Sequence, residues 1–338
     1  MAHEFPTSSQ PRRFQGIDVS KATFDVARWG DQTFRQMHVG QWPRTRNGVK
    51  DWLASLTADE LAMTAVVMES TGGYCKELAG WLREACPALH VSIANPYLVA
   101  CYGRSNGLRN KTDRLDARML ADYGQSKNPP AWEPLPAIQE ELRALVRTRA
   151  KLLNMAVSLR TRSREHACPS VLAGQIQEAA YRFLMEQIKA IHRGMADLCM
   201  RDKQLKHWME LLMTIPGVGM ITAATILGEA GDLRRFERKG QLVAFLGVSP
   251  HVHRSGTSVN GRTRMCKVGG AHARSTLYMA AVAACRLPGP LGDFYRRLVM
   301  AGKAKLAALG ALMRKLLIVM RAVLIQDGPY RPVPVTSL

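Results

Sequence analysis

The chain has 338 residues, of which 47% are hydrophobic, enough to build two domains with cores of their own. Lysines and arginines number 47 against 27 acidic residues, and the formal net charge of +20 indicates a polyanionic partner such as nucleic acid. Seven cysteines without a CxxC pair argue against a disulfide framework or a zinc site and favour a reducing cytoplasm. No apolar run reaches about 18 residues and no signal-peptide core is evident, so no membrane partner is expected.

Strand and helix patterns alternate through the first 130 residues. Strands are predicted at 14–21, 23–28 and 34–39, a helix at 47–56, a strand at 65–69, a helix from 74 to about 86 and a strand at 90–95. This order predicts an α/β domain with a partly parallel sheet and helices packed on it. Ligand sites in such sheets gather at the carboxyl ends of strands.

Four acidic residues stand where such a site would form. Asp18 and Glu69 end predicted strands, while Asp113 and Asp116 lie three residues apart on one face of a predicted helix. Each alone has a plain explanation, as a turn residue, a partner for a nearby base or a local ion pair. Four converging carboxylates, however, repel one another unless a divalent cation such as Mg²⁺ neutralises them, so together they predict a metal site. Asp25 has no place in this set and is predicted to face solvent.

The order of these acids along the chain matches RNase H-like nucleases and transposases of the RuvC-like type. Three stretches also resemble the DEDD transposases of the insertion-sequence one-ten family: GIDVSK at 16–21, MESTGGY at 68–74 and RNKTDRLDA at 109–117. The resemblance covers most of residues 14–325. It implies an RNase H-like (RuvC-like) domain and a bacterial recombinase that is guided by a bridge RNA.

The same resemblance implies roles for individual residues. It places the catalytic, metal-binding acids at Asp18, Glu69, Asp113 and Asp116, and all four expected positions carry an acid. The implied cofactor is Mg²⁺ or a similar divalent cation.

A helical connector is predicted at 131–205. Its first helix, at 138–166, carries an apolar stripe surrounded by arginines, and a second helical run extends over 171–210. The expected form is an antiparallel helical hairpin or coiled coil, which serves either internal packing alone or a contact between protomers with a basic rim for RNA or DNA. The resemblance favours a dimerising coiled coil.

A mostly α domain is predicted at 206–328. It opens with MTIPGVGMITAA at 213–224, a helix, tight turn and helix that resembles a helix-hairpin-helix. Gly217 and Gly219 let backbone N–H groups approach a phosphate at a helix start, which binds nucleic acid without reading its sequence. The plainer alternative is a simple corner between two helices. The further predicted helices lie at 240–247, 270–286 and 306–325.

A basic, glycine-spaced polar loop is predicted at 253–264. It is either a mobile segment that binds backbone phosphate or the carrier of a nucleophilic hydroxyl beside guanidinium groups. Residue chemistry does not choose among Ser255, Thr257 and Ser258; the resemblance selects Ser255, because the family's catalytic serine precedes a glycine at this point. The predicted nucleic-acid contacts, besides the two glycines, are the basic residues Arg109, Lys111, Arg254, Arg262, Arg264 and Lys267.

The predicted division of the chain is a disordered leader at 1–12, the RuvC-like DEDD domain at 13–130, the connector at 131–205, the transposase domain at 206–328 and a disordered tail at 329–338. The hypothesis is an RNA-guided transposase that cuts and rejoins DNA through its acids and a phosphoserine–DNA intermediate. The resemblance adds a structured bridge RNA, donor and target DNA, and a homodimer or homotetramer in a bacterial, nucleoid-associated setting. The alternatives are a RuvC-like, structure-specific DNA endonuclease without a covalent intermediate and a non-enzymatic nucleic-acid-binding protein.

Overall fold

The computed structural model describes residues 13–28, 37–70, 72–107, 113–165, 170–251, 254–255, 259–260, 264–266 and 268–332. The chain forms two compact units, Met1–Pro134 and Leu135–Leu338. Over the residues with described positions, the helices include none with the length and apolar character that a bilayer crossing needs.

The first unit is built on a mixed five-stranded sheet. Its order is β3-β2-β1-β4-β5, in which β4 runs parallel to both β1 and β5, while β2 is antiparallel to both β1 and β3. The elements are β1 (Arg13–Val19), β2 (Thr23–Arg28), β3 (His38–Pro43), α1 (Arg46–Ala54), α2 (Ala58–Met63), β4 (Thr64–Glu69), α3 (Tyr74–Ala85), β5 (His90–Ala94), α4 (Pro96–Ser105) and α5 (Asp113–Lys127).

Helices cover both faces of this sheet. On one face, Ile17 and Met68 pack in a cluster with Trp52 of α1 and Leu78 of α3. On the other face, residues from α4 and α5 cover the strands, with Val99 and Leu120 in one cluster and Ala117 and Ala121 in another. Two-sided coverage explains the continuous burial of β4, whose first five residues are all buried.

The prediction that Asp25 faces solvent was wrong, because its exposed fraction is only 4%. Strand alternation places it on the same face as Ala27, which packs against Ala117 and Ala121 of α5. The alternating pattern of this strand gives no sign that a helix covers the side that carries Asp25.

Three further differences concern one shifted strand and two helices that were not predicted. Strand β3 lies at His38–Pro43 instead of 34–39, and Trp42 stacks on Phe24 in the core with ring centroids 6.1 Å apart. Helix α2 was not predicted, although Thr57 and Glu60 form a capping box at its start. Helix α4 was also missed: Pro96, which ends the β5 pattern, occupies the first turn of a helix, where proline loses no hydrogen bond.

The second unit is mostly helical, and the long helix α13 supplies many residues of its core. The elements are α6 (Ala137–Glu165), α7 (Val171–Arg201), α8 (Lys203–Met213), α9 (Met220–Ala230), α10 (Lys239–Phe245), β6 (Pro250–His251), β7 (Arg254–Ser255), β8 (Val259–Asn260), β9 (Arg264–Met265), α11 (Ala271–Ala284), α12 (Pro290–Met300) and α13 (Lys305–Gln326). A single 3₁₀ turn occupies Leu233–Arg235. Helix α12, which begins with Pro290 after Gly289, was not predicted.

Helices α6 and α7 form an antiparallel pair. Side-chain hydrogen bonds join Glu141 to Arg201, Arg149 to His192 and Arg160 to Tyr181, so positions rise on one helix as they fall on the other.

The predicted continuous helical run at 171–210 breaks at Asp202. The Asp202 N–H donates to the Leu198 carbonyl at 3.1 Å, while its carboxylate accepts from the Leu205 N–H at 2.7 Å. One residue therefore ends α7 and caps α8, because its side chain satisfies an amide that the second helix leaves open.

Two short antiparallel ladders lie within and beside the predicted loop at 253–264. Strand β6 pairs with β9, and β7 pairs with β8 between them. This nesting is that of a β-hairpin, which a glycine-spaced polar pattern does not reveal because neither face of it is apolar.

The predicted tail begins folded rather than disordered. The Tyr330 ring packs on the core of the second unit, and its N–H donates to Thr214 Oγ1 at 2.8 Å. The aromatic ring of Tyr330 covers apolar surface of the core. The proline-rich sequence of the tail did not suggest such packing.

Candidate functional site

The described acids of the first unit lie across neighbouring strands at one end of the sheet. Asp18 on β1 is directly paired with Asp25 on β2. On the other side, Ile17 pairs with Met68 in the parallel ladder between β1 and β4, and Asp18 and Glu69 are the next residues of those strands. The strands therefore place the three acids in one row.

The row faces helix α5. Side chains alternate along a strand, so Asp18 shares a face with Gly16 and Glu69 shares one with Val67. Val67 packs with Leu120 of α5, and Gly16 lies directly beneath the same helix. Asp18 and Glu69 are both half-buried on this face.

The course of α5 over β1 is fixed by two glycines. A Cβ atom on Gly16 would lie 2.0 Å from the Ala117 carbonyl oxygen, and one on Gly124 would lie 2.7 Å from Phe14. Later residues of the helix thus meet earlier residues of the strand, and the helix runs antiparallel to β1. Since Ala117 stands over Gly16, the first turn of α5 approaches the end of β1, where Asp18 stands.

The two helical aspartates occupy this first turn. Asp113 is the first residue of α5, and half-buried Asp116 directly precedes Ala117. The structure therefore directs α5 towards the strand ends that carry Asp18 and Glu69. Carboxylate oxygens are the donors that hard divalent cations prefer, so the chemistry of this set fits such a cation.

Among the side chains that the structure describes, no three His, Cys, Asp or Glu residues form a group that could hold a metal ion by themselves. The Asp113 side chain lies outside that part of the structure.

Ser255 belongs to the second unit. Its backbone forms the end of β7, paired with Val259, and Arg254 pairs with Asn260. Residues 256–258, which separate the two strands, lie outside the described residues, as do Arg109, Lys111, Arg262 and Lys267. Arg264 lies on β9, opposite His251.

The two glycines of the PGVG turn have different surroundings. Gly217 has φ +85°, and a Cβ atom there would lie 2.7 Å from the Ala280 carbonyl oxygen of α11. Gly219 is exposed, a Cβ atom on it would meet open space, and it precedes α9 without a side-chain cap. Gly217 therefore serves close packing, whereas Gly219 is the one of the pair that solvent or a ligand reaches.

An ion pair between a buried carboxylate and an exposed arginine supports the end of α9. Glu229 is 6% exposed, and its two carboxylate oxygens accept from Arg147 Nε and Nη2, each at 2.7 Å. Burial alone would raise the pKa of Glu229, but the hydrogen bonds and charge of Arg147, with the charges of Arg143 and His272, lower it below its usual value. The pair ties α6 to α9.

Sequence reasoning missed Asp25 and its partner Gln41. The Gln41 Nε2 atom lies 3.0 Å from Asp25 Oδ2 and 3.3 Å from Oδ1. The signal in the sequence is the short gap at 20–23 between the two strand patterns. In the structure this gap is a tight turn, in which the Ser20 N–H donates to the Thr23 carbonyl. Closing a hairpin at 20–23 sets the register that places Asp25 opposite Asp18.

Comparisons with known proteins identify the family of this chain. A model of the transposase family IS116/IS110/IS902 matches residues 209–296, and a DEDD transposase model of the IS110 type matches residues 15–167. The pilin gene-inverting protein of Moraxella bovis is 31% identical over 327 residues, which cover 94% of this chain and 98% of that protein. The chain belongs to the IS110 family of DEDD transposases. The transposase for insertion sequence element IS1111A of Coxiella burnetii is 24% identical over 275 residues, covering 71% of this chain and 69% of the relative.

Membership in this family makes the protein an enzyme of DNA transposition or recombination, of the kind that mobile elements carry. The mixed five-stranded sheet with its helices fits an α/β DEDD nuclease-like domain. The family also indicates dependence on a divalent metal ion, in agreement with the carboxylate donors at the strand ends.

Proposed function

We propose that this IS110-family transposase is an RNA-guided recombinase with a RuvC-like, metal-dependent acidic site and a serine nucleophile. The acids are Asp18, Glu69, Asp113 and Asp116. The observation that supports them best is the crossing of α5 over β1 at Gly16, which aims the first turn of α5 at the ends of β1 and β4.

The four acids would hold Mg²⁺. When bound, a divalent cation stabilises negative charge on the oxygens of a phosphoryl group in transfer. The protein's part is to fix the carboxylates on rigid elements, two of them at strand ends and two in the first turn of a helix that packs without space against β1. That packing keeps their spacing constant while DNA is exchanged.

Ser255 is proposed to attack the phosphodiester. Its Oγ gives up its proton and forms a bond to phosphorus, the bond from phosphorus to the leaving strand oxygen breaks, and that oxygen takes up a proton, so no net proton is consumed. The reverse attack by a strand hydroxyl releases the serine and reseals DNA. The covalent link conserves the energy of the broken bond, so the exchange needs no nucleotide cofactor.

Backbone phosphates of nucleic acid would be bound by the exposed start of α9, by basic residues of the hairpin sequence and by two basic residues that precede α5 in the first unit. Gly219 contributes the open backbone, and Gly217 holds the turn against α11. The basic residues are Arg109, Lys111, Arg254, Arg262, Arg264 and Lys267. The net charge of +20 supports this role and predicts a steep dependence of binding on salt.

The partners are donor and target DNA and a structured bridge RNA that selects them by base pairing. The α6–α7 hairpin is proposed as a dimerising coiled coil, in a homodimer or homotetramer that joins the acids of one protomer to the serine of another. The likeness to a pilin gene-inverting protein favours inversion of a DNA segment as a second outcome of the same strand exchange.

The test of the nucleophile uses a plasmid that carries the coding region with its native flanking DNA. Ser255→Ala is expected to lower strand exchange by about three orders of magnitude and to abolish a protease-sensitive protein–DNA adduct. Thr257→Ala and Ser258→Ala are matched controls in the same loop and retain the adduct. Unchanged cleavage by Ser255→Ala would support the alternative, a RuvC-like endonuclease that hydrolyses DNA without a covalent intermediate.

Mixing inactive variants tests the composite site. Ser255→Ala supplies intact acids and Asp116→Asn an intact serine, so a mixed oligomer contains a complete site if the two groups come from different protomers. Strand exchange should then reappear on mixing. Activity that stays absent in the mixture, while each variant still associates with wild-type protein, contradicts a composite site.

Deleting the non-coding DNA next to the gene tests RNA guidance. Exchange should stop and should return when that segment is transcribed from a second plasmid. Undiminished exchange after the deletion contradicts a guide RNA.

A further inference from the structure

Asp25 is a buried carboxylate placed directly beside the acidic row. It is 4% exposed and pairs with Asp18 across the β1–β2 ladder. Directly opposed residues have Cβ atoms about 4.5 to 5.5 Å apart and point to the same face of the sheet. Asp25 therefore faces the side that carries Asp18.

On its other side Asp25 is held by Gln41 of β3. These two residues are also cross-strand partners, and the Gln41 amide approaches both oxygens of the carboxylate, at 3.0 Å and 3.3 Å. The row across the sheet is then Gln41, Asp25, Asp18 and Glu69, with Asp18 between two acids.

The negative charge of Asp25 needs an explanation. Like charges that face each other across a strand pair destabilise it, and burial of a carboxylate adds to the cost. An asparagine would accept the same hydrogen bond from Gln41 without either penalty. A bound cation close to such a charge would offset both penalties.

We propose that Asp25 is a positioning residue of the acidic site, which directs the Asp18 carboxylate towards Glu69 and increases the affinity of the row for a divalent cation. This inference rests on the proposed metal-binding role of Asp18, Glu69, Asp113 and Asp116. Repulsion from Asp25 acts on Asp18 from the β2 side, and Glu69 stands on the β4 side. Gln41 keeps Asp25 from turning away.

The test measures cation binding directly, with the full-length protein and Mn²⁺ alone. Electron paramagnetic resonance of free Mn²⁺ gives the dissociation constant, and thermal unfolding without metal gives stability. Asp25→Asn should weaken Mn²⁺ binding by about tenfold, the cost typical of losing a group that orients a metal ligand. In the absence of metal the same variant should unfold at or above the wild-type temperature, because the repulsion is gone while the bond from Gln41 remains. Asp25→Ser, which has no charge and a shorter side chain, should weaken binding in the same direction.

Asp51→Asn is the matched control. It removes one negative charge from the same unit, at an exposed position of α1, whose buried residues pack on the opposite face of the sheet. Its Mn²⁺ affinity should change by less than about twofold, because solvent screens a distant exposed charge.

Glu69→Gln separates this inference from the function on which it rests. If Glu69→Gln weakens Mn²⁺ binding while Asp25→Asn and Asp25→Ser do not, the role of Asp25 is wrong and the acidic site stands. If none of these variants changes Mn²⁺ binding, the acidic site is itself wrong. Lower stability of Asp25→Asn with unchanged affinity also overturns the inference, since that is the result of a purely structural hydrogen bond.

Discussion

Gly16 and Ala117 are in closest approach where α5 crosses β1: a Cβ atom on the glycine would lie 2.0 Å from the carbonyl oxygen of the alanine. The same atom would lie 2.3 Å from the Ala121 nitrogen. Backbone atoms cannot turn aside as a flexible side chain can, so any larger residue must push the helix off the strand.

Gly16→Ala should therefore displace α5 and separate Asp113 and Asp116 from Asp18. We expect a loss of stability of about 1 to 3 kcal/mol or more, the usual cost of overpacking, and loss of Mn²⁺-dependent strand cleavage. Tryptophan fluorescence during urea unfolding measures the first effect.

Gly80→Ala is the control for this variant. Gly80 is exposed in α3 and a Cβ atom there meets open space, so alanine should stabilise the helix by up to about 1 kcal/mol. Equal cleavage by Gly16→Ala and Gly80→Ala would show that the crossing does not set the position of the acids.

The PGVG turn gives a second matched pair. Gly217→Ala places a Cβ atom 2.7 Å from backbone atoms of α11 at a residue with φ +85°, whereas Gly219→Ala meets open space. Gly217→Ala should cost about 1 to 3 kcal/mol, and Gly219→Ala distinctly less. Urea unfolding followed by circular dichroism measures both. Equal losses for the two variants would contradict the packing role of Gly217.

Glu229→Gln tests the buried pair with Arg147. The expected loss is about 1 to 3 kcal/mol, less than for a fully buried pair, because the Arg147 side chain is 54% exposed and keeps part of its hydration. Arg182→Gln, which breaks an exposed pair with Glu178 on α7, should change stability by less than about 1 kcal/mol.

The contribution of Glu229 should also depend on pH. Because the folded-state pKa of Glu229 is lowered, the unfolded chain takes up a proton at higher pH than the folded one. The wild type should exceed Glu229→Gln in stability by a constant amount above the pKa of an unfolded glutamate, about 4.3, and the difference should shrink as the pH falls below it. A difference that grows on acidification would contradict the assigned direction of the shift.

Asp202 is the single residue between α7 and α8. Asp202→Ala removes the side-chain acceptor of the Leu205 N–H, whose 2.7 Å bond caps α8, and should cost about 1 kcal/mol. Asp197→Ala, at an exposed site within α7, is the control and should be close to neutral. Hydrogen exchange at the first amides of α8 locates the effect.

Periodicity predicted most elements of the first unit, including β2 at 23–28 and the positions of Asp18 and Glu69 at strand ends. Asp25 was predicted to face solvent because it has no place in the set of four acids, and the pattern does not show that a helix covers its side of the sheet. Strand order is a long-range property, and a pattern of two-residue period carries no information about which strand lies beside which.

In the second unit, the turn at 213–220 and the long helices follow from local pattern, whereas the hairpin at 250–265 does not. Its strands have two residues each, too few for an alternation to be recognised. The choice of Ser255 among three hydroxyls likewise came from the family resemblance and stays a prediction.

The contact between α6 and α9 depends strongly on one arginine of α6. Arg143 donates from Nε to the Gly228 carbonyl and from Nη2 to the Glu229 carbonyl, each at 2.8 Å. The Glu229 carbonyl is present whatever side chain occupies position 229, whereas a Cβ atom at position 228 would lie 3.3 Å from the Arg143 backbone, so only glycine fits there without a shift. Substitution of one arginine removes both at once. Arg143 therefore couples α6 to α9 at two backbone positions, beside the ion pair of Arg147 with Glu229, and its substitution would loosen the contact between the two helices.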